Sequence, residues 1–217
     1  MTTIQQRNML LGATSLICIS LLISRICIYS SFNYIFLVWN LFLAWIPLFF
    51  STKLSVYDKE NKNWYTAFLF FSWLVFFPNA PYIITDLFHL SPKSSVPVWF
   101  DLILIISFAW NGMLLGFMSL MEVHQTFLKL FSAKTSWILI VSILFLSGYG
   151  IYLGRFERWN SWDIVTHPFR LVSHIFGNFL DPDVLPRLMG VTLSFGVFLI
   201  ISYVTIYFLS NKYEASK

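Results

Sequence analysis

Long apolar stretches separated by short polar connectors are the main feature of this chain. A helix needs about 20 consecutive apolar residues to cross the hydrocarbon core of a bilayer, and stretches near that length recur along the sequence. We predict spans at residues 9–30, 32–51, 64–90, 97–121, 135–153 and 187–209. The pattern therefore predicts an all-α fold, a polytopic bundle of about six transmembrane helices, with residues 1–217 forming a single integral membrane domain.

Prolines interrupt the third span. Trp64 to Phe77 is about 14 residues, or about 21 Å of helix, which is less than the roughly 30 Å that a full crossing requires. Because Pro78 and Pro81 follow, we expect the helix to stop near Asn79 and to restart with Pro81 in its first turn. Asn79 is the expected cap of the restarted helix. Its positive dipole end would suit an anion or a carboxylate. Broken spans are typical of binding sites, because freed backbone groups must be satisfied by protein or by a water-filled cavity.

Two polar residues follow the break. Asp86 and His89 are three residues apart and share one helical face, a spacing that can place two ligands on a metal or an acid beside a base. A proline kink with both side chains hydrogen-bonded at the membrane interface would explain the same pattern.

The connector at 154–186 predicts an amphipathic helix that lies in the membrane surface and is divided by Pro168. Its apolar residues recur at helical spacing, at Trp162, Val165, Phe169, Val172, Phe176 and Phe179. The polar residues fall on the opposite face, at Asp163, His167, Arg170, His174 and Asn178.

The connector begins with a short charged segment. Arg155, Glu157 and Arg158 form either an ion-pair network at the membrane edge or a clamp for an anionic head group. The residues we single out as candidates for ligand binding are Asn79, Arg155, Glu157, Arg158, Trp159 and Asn160.

Histidines and carboxylates are expected to converge on the same membrane face. The candidate catalytic groups are Asp86, His89 and Asp163, and the candidate metal ligands are His89, His167 and His174. Imidazole nitrogens with carboxylate oxygens suit a divalent metal such as zinc, which could activate water. No compact metal motif supports this grouping, so it depends on tertiary structure alone.

Composition supports a membrane protein and excludes a soluble domain. Hydrophobic residues make up 58% of the chain and charged residues 11%, with a mean hydropathy of +0.72, whereas soluble domains carry about a quarter charged residues. The net charge of +4 does not indicate nucleic acid, because the basic residues are scattered and lie beside apolar spans. The expected partners are the lipid bilayer and an anionic lipid or envelope precursor.

The distribution of basic residues gives a weak preference for cytoplasmic N- and C-termini. The predicted inner connectors hold Arg7, Lys53, Lys59, Lys62, Lys129, Lys134, Lys212 and Lys217. The predicted outer connectors hold Arg25, Lys93, Arg155, Arg158, Arg170 and Arg187.

Three smaller features of the spans also give expectations. We expect Asn111 to hydrogen-bond across helices, and Glu122 with His124 to form a solvated helix end. Gly148, Gly150 and Gly154 should allow close helix packing.

Two long motifs carry a resemblance to a known family. FPNAPYIITDLFHL in the third span and YLGRFERWNSWD after the fifth resemble the bacterial membrane family catalogued as domain of unknown function 1361. The likeness spans most of the chain and implies a multi-pass protein of the bacterial cytoplasmic membrane. It implies no activity and transfers no catalytic residues. Because the motifs coincide with the two polar segments identified above, we expect Asp86 or His89 to contact the Arg155–Asp163 segment.

Three functions remain open from the sequence. The leading hypothesis is a membrane-embedded enzyme, metal-dependent in one version, that acts on a lipid or envelope intermediate at the outer face. The broken span favours a small-molecule transporter. The lack of a repeat and of a second broken span argues against one. The third is a membrane scaffold that binds a partner through the surface helix. The sequence predicts neither substrate nor oligomeric state.

Overall fold

The structure, a computed structural model, describes residues 3–55, 64–91 and 96–215. These residues are mostly helical, and none of them lies in a strand. The elements are α1 (Thr3–Tyr29), α2 (Phe36–Ser55), α3 (Trp64–Phe76), α4 (Asn79–Tyr82), a 3-10 segment (Ile83–His89), α5 (Val98–Leu130), α6 (Ala133–Arg155), α7 (Asp163–Thr166), α8 (Pro168–Leu180) and α9 (Leu185–Ala215).

The six predicted spans are confirmed as helices that are long and apolar enough to cross a membrane. They are Ile4–Tyr29, Phe36–Ser55, Trp64–His89, Val98–Leu130, Ala133–Arg155 and Leu185–Ser210. The largest difference is in the fourth span, which continues to Leu130 instead of ending near residue 121.

Helix α5 lies at the centre of the bundle. It packs against α1, α2, α4, the 3-10 segment and α6, and Leu104, Ile105 and Phe108 in its first half are fully buried. Two of its glycines allow the broken span to approach. A Cβ on Gly112 would lie 2.8 Å from the carbonyl oxygen of Ala80, and one on Gly116 would lie 2.9 Å from the Ala80 Cβ.

Helix α6 packs against α9 as closely as its glycines permit, which confirms the expected role of Gly148. A Cβ on Gly148 would lie 2.6 Å from the carbonyl oxygen of Thr192. The other face of α6 meets the broken span, where Gly150 faces Pro78 and Gly154 faces the ring of Tyr82. Small residues on both faces thus place α6 between α9 and the site described below.

The amphipathic helix is also confirmed, as the short α7 followed by α8. The chain bends at His167, immediately before Pro168, as the proline predicts. Leu171 and Asn178 face the bundle and are buried, whereas Phe169 is 89% exposed on the apolar face. This outward apolar face fits an element that rests on a bilayer surface.

The bundle has two chemically different ends. We call the polar end the one where the 3-10 segment and α6 finish and where α7 and α8 lie. At the opposite end lie basic residues from four helices, namely Arg7, Lys53, Lys129 and Lys134. Lys59, Lys62, Lys93 and Lys217 of the charge analysis lie outside the described residues, as does the side chain of Lys212. Which end faces the cytoplasm stays a prediction.

Candidate functional site

The break in the third span exposes helix-end carbonyls that side chains then satisfy. Helix α3 ends at Phe76, so the carbonyls of its last turn lack the helical partners that a continuous helix would supply. The Ser161 hydroxyl donates to the carbonyl of Val75 at 3.0 Å. The Asn79 side-chain amide donates to the carbonyl of Phe76 at 2.9 Å and to Ser161 Oγ at 2.8 Å. The connector after α6 is therefore bonded directly to the break.

Asn79 does not cap the restarted helix, and that prediction was wrong. Pro78 occupies the cap position of α4, with no side-chain cap hydrogen bond, and Asn79 instead points back to the end of α3. The restarted piece is a single turn, Asn79–Tyr82, before the chain tightens into the 3-10 segment. One turn sums few peptide dipoles, so the expected anion site at a helix start has little support.

Arg155 is the hub of the polar end. Its Nη2 lies 2.5 Å from Asp86 Oδ1 and donates to Thr85 Oγ1 at 2.7 Å, and its Nη1 lies 2.8 Å from His89 Nε2. The guanidinium also lies over the Tyr82 ring, 4.7 Å from its centroid. Since arginine can only donate, His89 must accept through Nε2 and carry its proton on Nδ1. The predicted contact between the two signature segments is confirmed.

The Asp86 carboxylate is fully engaged. It is 1% exposed, and its second oxygen accepts a hydrogen bond from Asn40 Nδ2 at 2.7 Å. Asn40 belongs to α2, so one buried carboxylate joins α2, the 3-10 segment and the end of α6. A buried charge that is paired and hydrogen-bonded on both oxygens is suited to holding these elements in place.

A second network lies in the connector beyond Arg155. Glu157 accepts a hydrogen bond from the Tyr152 hydroxyl at 2.9 Å, and its other carboxylate oxygen lies 3.3 Å from His174 Nε2. His174 accepts in turn from Trp159 Nε1 at 3.3 Å. These bonds tie α8 to the end of α6. Arg158 is exposed, forms no ion pair with any described residue and has a left-handed φ of 59°, a conformation that costs energy for a residue with a Cβ.

Asp163 stabilises the turn that leads into α7. Its Oδ2 accepts from the Asn160 backbone amide at 2.7 Å, and this hydrogen bond holds the pKa of the carboxyl below its usual range. His167 lies 3.6 Å from the other oxygen, with its side chain 57% exposed. His167 is therefore exposed, whereas the Asp163 side chain is only 15% exposed.

The three histidines predicted as metal ligands do not meet, and that convergence is corrected here. His89 is bonded to Arg155, His174 to Glu157 and Trp159, and His167 is exposed beside Asp163. Across residues 3–55, 64–91 and 96–215, no three His, Cys, Asp or Glu side chains are grouped to hold a metal. The physical reason is that α8 turns His174 inward against Trp159, while the bend before Pro168 turns His167 outward.

A pocket of about 360 Å³ lies between the broken span, α2, α6 and the connector. Its apolar walls are formed by Leu43, Phe71, Leu74, Val75, Leu146, Leu153, Ile164, Leu171 and Ile175. Its polar groups are Asn40, Asn79, Tyr149, Asn160 and Ser161. Trp39, Pro78, Tyr82, Gly150, Gly154 and Trp159 complete the lining.

The candidate ligand-binding residues divide around this pocket. Asn79, Trp159 and Asn160 line it, whereas Arg155, Glu157 and Arg158 do not. Sequence reasoning missed Asn40, Tyr149 and Ser161. Asn40 is a polar residue inside an apolar span, a signal that could have identified it, but nothing in the sequence relates residue 40 to residue 86.

Three buried groups near the helix ends differ from expectation. Arg25, counted as a connector charge, lies in α1 with 0% side-chain exposure and pairs with Asp101 at 2.6 Å. Glu122 is not solvated, because its side chain is 11% exposed and pairs with Arg7 at 2.5 Å. His124 is also buried and is hydrogen-bonded to the Tyr203 hydroxyl at 2.9 Å. Residues on distant helices supply these partners, so local sequence could not indicate them.

Asn111 behaves as expected, since it bonds across helices to two residues of α1. Its Nδ2 donates to Ser15 Oγ at 2.8 Å, and its Oδ1 accepts from Thr14 Oγ1 at 3.0 Å.

Comparison with known proteins gives one match. The family model described as "Protein of unknown function (DUF1361)" matches residues 39–202, a range that contains the break, the Arg155 hub and every residue that lines the pocket. Comparisons with curated proteins and with solved structures gave no match.

Proposed function

The chain belongs to the DUF1361 family, and we propose that it is a membrane protein that binds an amphiphilic molecule, a lipid or a lipid-linked envelope intermediate, at its polar end. The observation that carries this proposal is the pocket beside the broken span. Pockets of about 300–1,000 Å³ with apolar walls and a few converging polar groups are the usual form of small-molecule sites, and this pocket has that form.

The walls of the pocket favour a ligand that arrives from the bilayer. Phe71 on α3 and Leu146 on α6 both line the pocket, and both side chains are about half exposed. Each belongs to a helix long and apolar enough to span the membrane. An apolar chain could therefore pass between α3 and α6 without crossing water.

The polar groups of the pocket favour an amphiphile over a plain hydrocarbon. Asn79, Asn160 and Ser161 cluster where the break meets the connector, at the end of the bundle that carries the polar networks. Polar backbone and side chains at membrane depth are tolerated where they line a cavity. A head group would lie against these residues, with its chain along the apolar walls.

Arg155 and Asp86 have a supporting role in this proposal. Asp86 positions Asn40, which lines the pocket, and Arg155 holds Asp86. Because both oxygens of Asp86 are already hydrogen-bonded, we assign it to positioning. A catalytic role for Asp86, His89 and Asp163 stays a prediction, and so does a divalent metal as cofactor.

Helix α8 covers the pocket from the membrane surface. Leu171 and Ile175 line the pocket from its inner face, while its apolar outer face, which includes Phe169, is exposed. A helix that contacts both the pocket and the bilayer surface would place the head-group end of the site at the membrane interface.

Retention of lipid by the purified chain tests the proposal. We expect native mass spectrometry from mild detergent to show about one lipid retained per chain, and the Leu146→Trp variant to lose it because the larger side chain fills the opening. The matched control is Ile138→Trp, which lies on the same helix and is equally exposed but does not line the pocket. Equal retention by parent and both variants would refute the proposal.

A further inference from the structure

The charged groups of the polar end are kept out of the pocket. No Asp, Glu, Lys or Arg is among the residues that line it. Arg155 pairs with Asp86 and does not line the pocket. An anionic head group would therefore find no cation inside the pocket. The sequence suggested arginines that clamp an anionic head group, but no arginine lines this pocket.

The Asn40 amide is held in one orientation by Asp86, which uses one of its two N–H hydrogens. Its Nδ2 donates to Asp86 Oδ2 at 2.7 Å. The amide cannot be turned round, because a carboxylate that is paired with Arg155 accepts and does not donate. Asn40 Oδ1 accepts no hydrogen bond from a described side chain or backbone group. The pocket wall formed by α2 therefore offers a hydrogen-bond acceptor.

The amide of Asn79 has the same constraint. Its Nδ2 donates both to the carbonyl of Phe76 and to Ser161 Oγ. Ser161 uses its own hydrogen on the carbonyl of Val75, so it can only accept from Asn79. The orientation of this amide is fixed by the network, and Asn79 Oδ1 is a second acceptor at the pocket without a partner in the described part of the chain.

Tyr149 supplies a hydroxyl group without a partner. It lines the pocket from α6, and its hydroxyl oxygen is buried without a hydrogen bond to any described residue. Buried polar atoms in folded proteins almost always have a partner, and inside a membrane an unsatisfied hydroxyl is costly. The hydroxyl oxygen is closed off from the pocket in this structure, so a bound head group would reach it once the Tyr149 side chain shifts toward the pocket.

From these three groups we infer that the bound amphiphile has an uncharged head group rich in hydroxyls, such as a sugar or another polyol on a lipid anchor. Hydroxyl hydrogens match the two amide oxygens, and a hydroxyl oxygen or hydrogen matches Tyr149. The inference rests on the proposed function, because it assumes that the pocket takes an amphiphile. It deepens that function by naming hydroxyl groups, in preference to phosphate, as what the pocket recognises.

The test compares three lipids with identical acyl chains. One carries a glucose, the second carries the same sugar with every hydroxyl methylated, and the third is phosphatidic acid. Each lipid is titrated into the detergent-solubilised chain, and native mass spectrometry measures the fraction of chains with bound lipid. The affinity follows from that fraction. We expect the glucosyl lipid to bind at least about tenfold tighter than the methylated one, since several hydrogen bonds are lost.

A single variant isolates the hydroxyl group of the protein. Tyr149→Phe should weaken glucosyl-lipid binding roughly three- to tenfold and leave binding of the methylated lipid unchanged. Its thermal stability should equal that of the parent, because the hydroxyl bonds no protein group. Loss of folding therefore cannot be the cause of weaker binding.

The outcomes separate the two proposals. If all three lipids bind equally well and are lost in Leu146→Trp, the head-group inference is overturned while the pocket remains an amphiphile site. Tighter binding of phosphatidic acid than of the glucosyl lipid would also overturn the inference. If Leu146→Trp changes the binding of none of them, the proposed function itself fails.

Discussion

Arg155 joins parts of the polar end that are far apart in sequence. It is hydrogen-bonded to Thr85, Asp86 and His89 across about 70 positions of the chain. Through Asp86 it also reaches Asn40 on α2. The side chain is 12% exposed, so these are charge-assisted bonds in a mostly water-free setting, where they are stronger than on a surface.

Removing Arg155 should leave Asp86 buried without a counter-ion. We expect Arg155→Met to lower the free energy of unfolding by roughly 3–5 kcal/mol, the range for breaking a buried pair from one side. The measurement is thermal unfolding in mild detergent. The matched control is Arg158→Met, which should change little because Arg158 is exposed and forms no ion pair with any described residue. Equal melting temperatures for the two variants would contradict the role assigned to Arg155.

At the residue scale, the sequence predicted one contact and missed several pairs. The contact between Arg155 and Asp86 was predictable because two unusual polar segments had to lie at the same end of the bundle. The pairing of Arg25 with Asp101 was not predictable, since the rotation of each helix about its own axis leaves no local signal. His167 and His174 are separated by the bend before Pro168.

At the scale of elements, the break depends on a close approach between α6 and the third span. A Cβ on Gly150 would lie 2.8 Å from both the Cβ and the Cγ of Pro78. The proline ring is fixed to its own backbone and cannot rotate away. Gly150 therefore sets how near the break can come to α6, and with it the width of the pocket.

Substitution of Gly150 should separate the two elements. We expect Gly150→Ala to lower the stability by about 1–3 kcal/mol, as overpacking does, seen as a lower melting temperature. Gly12→Ala is the control, because a Cβ on Gly12 meets nothing within 4 Å and alanine favours a helix. A Gly150→Ala protein as stable as Gly12→Ala would show that the approach is not tight.

Helix α8 should lie with its apolar face in the bilayer. We expect a spin label at Phe169→Cys, in a chain with Cys18 and Cys27 replaced, to be more accessible to oxygen than to a water-soluble nickel reagent in nanodiscs. Arg170→Cys, one position along on the polar side, is the control and should show the reverse preference. Equal accessibility of both labels to the nickel reagent would mean that α8 does not rest on the membrane.

The order and type of the helices could largely be predicted from the sequence, but the contacts at their ends could not. The six spans, the break and the amphipathic helix follow from apolar length, proline position and helical spacing. The assignment of Asn79 as a cap failed because Pro78 occupies the cap position, so Asn79 lies inside the turn. Its side-chain amide donates to the carbonyl of Phe76, which is open only because α3 ends inside the bundle.

At the scale of the whole molecule, the two ends differ in the side chains that join their helices. At the opposite end, Arg7, Glu122 and Thr52 come from three helices and bond one another. That end also has a pocket, of about 650 Å³, lined by Asn8, Trp45, Leu48, Phe49, Thr52, Lys53 and Tyr65. The pocket at the polar end differs because the Tyr149 hydroxyl beside it has no partner among the described residues.

The pocket itself could not be predicted from the sequence. Its lining comes from α2, the broken span, α6 and the connector, and a cavity depends on how these elements fail to fill the space between them. The sequence located two of its sides, through the prolines and the charged connector. Asn40 and Tyr149 lie in ordinary apolar spans, where nothing local marks them as facing a cavity.

The most direct test of the central claim is to find where a lipid sits. The purified chain in nanodiscs would be irradiated with a lipid that carries a diazirine on its acyl chain, and the labelled residues would be mapped by peptide mass spectrometry. We expect labels concentrated on the pocket-lining side of α3 and α6, around Phe71 and Leu146, and reduced in Leu146→Trp. Labels spread evenly over lipid-facing residues such as Ile17 and Ile201, unchanged in that variant, would contradict the central claim.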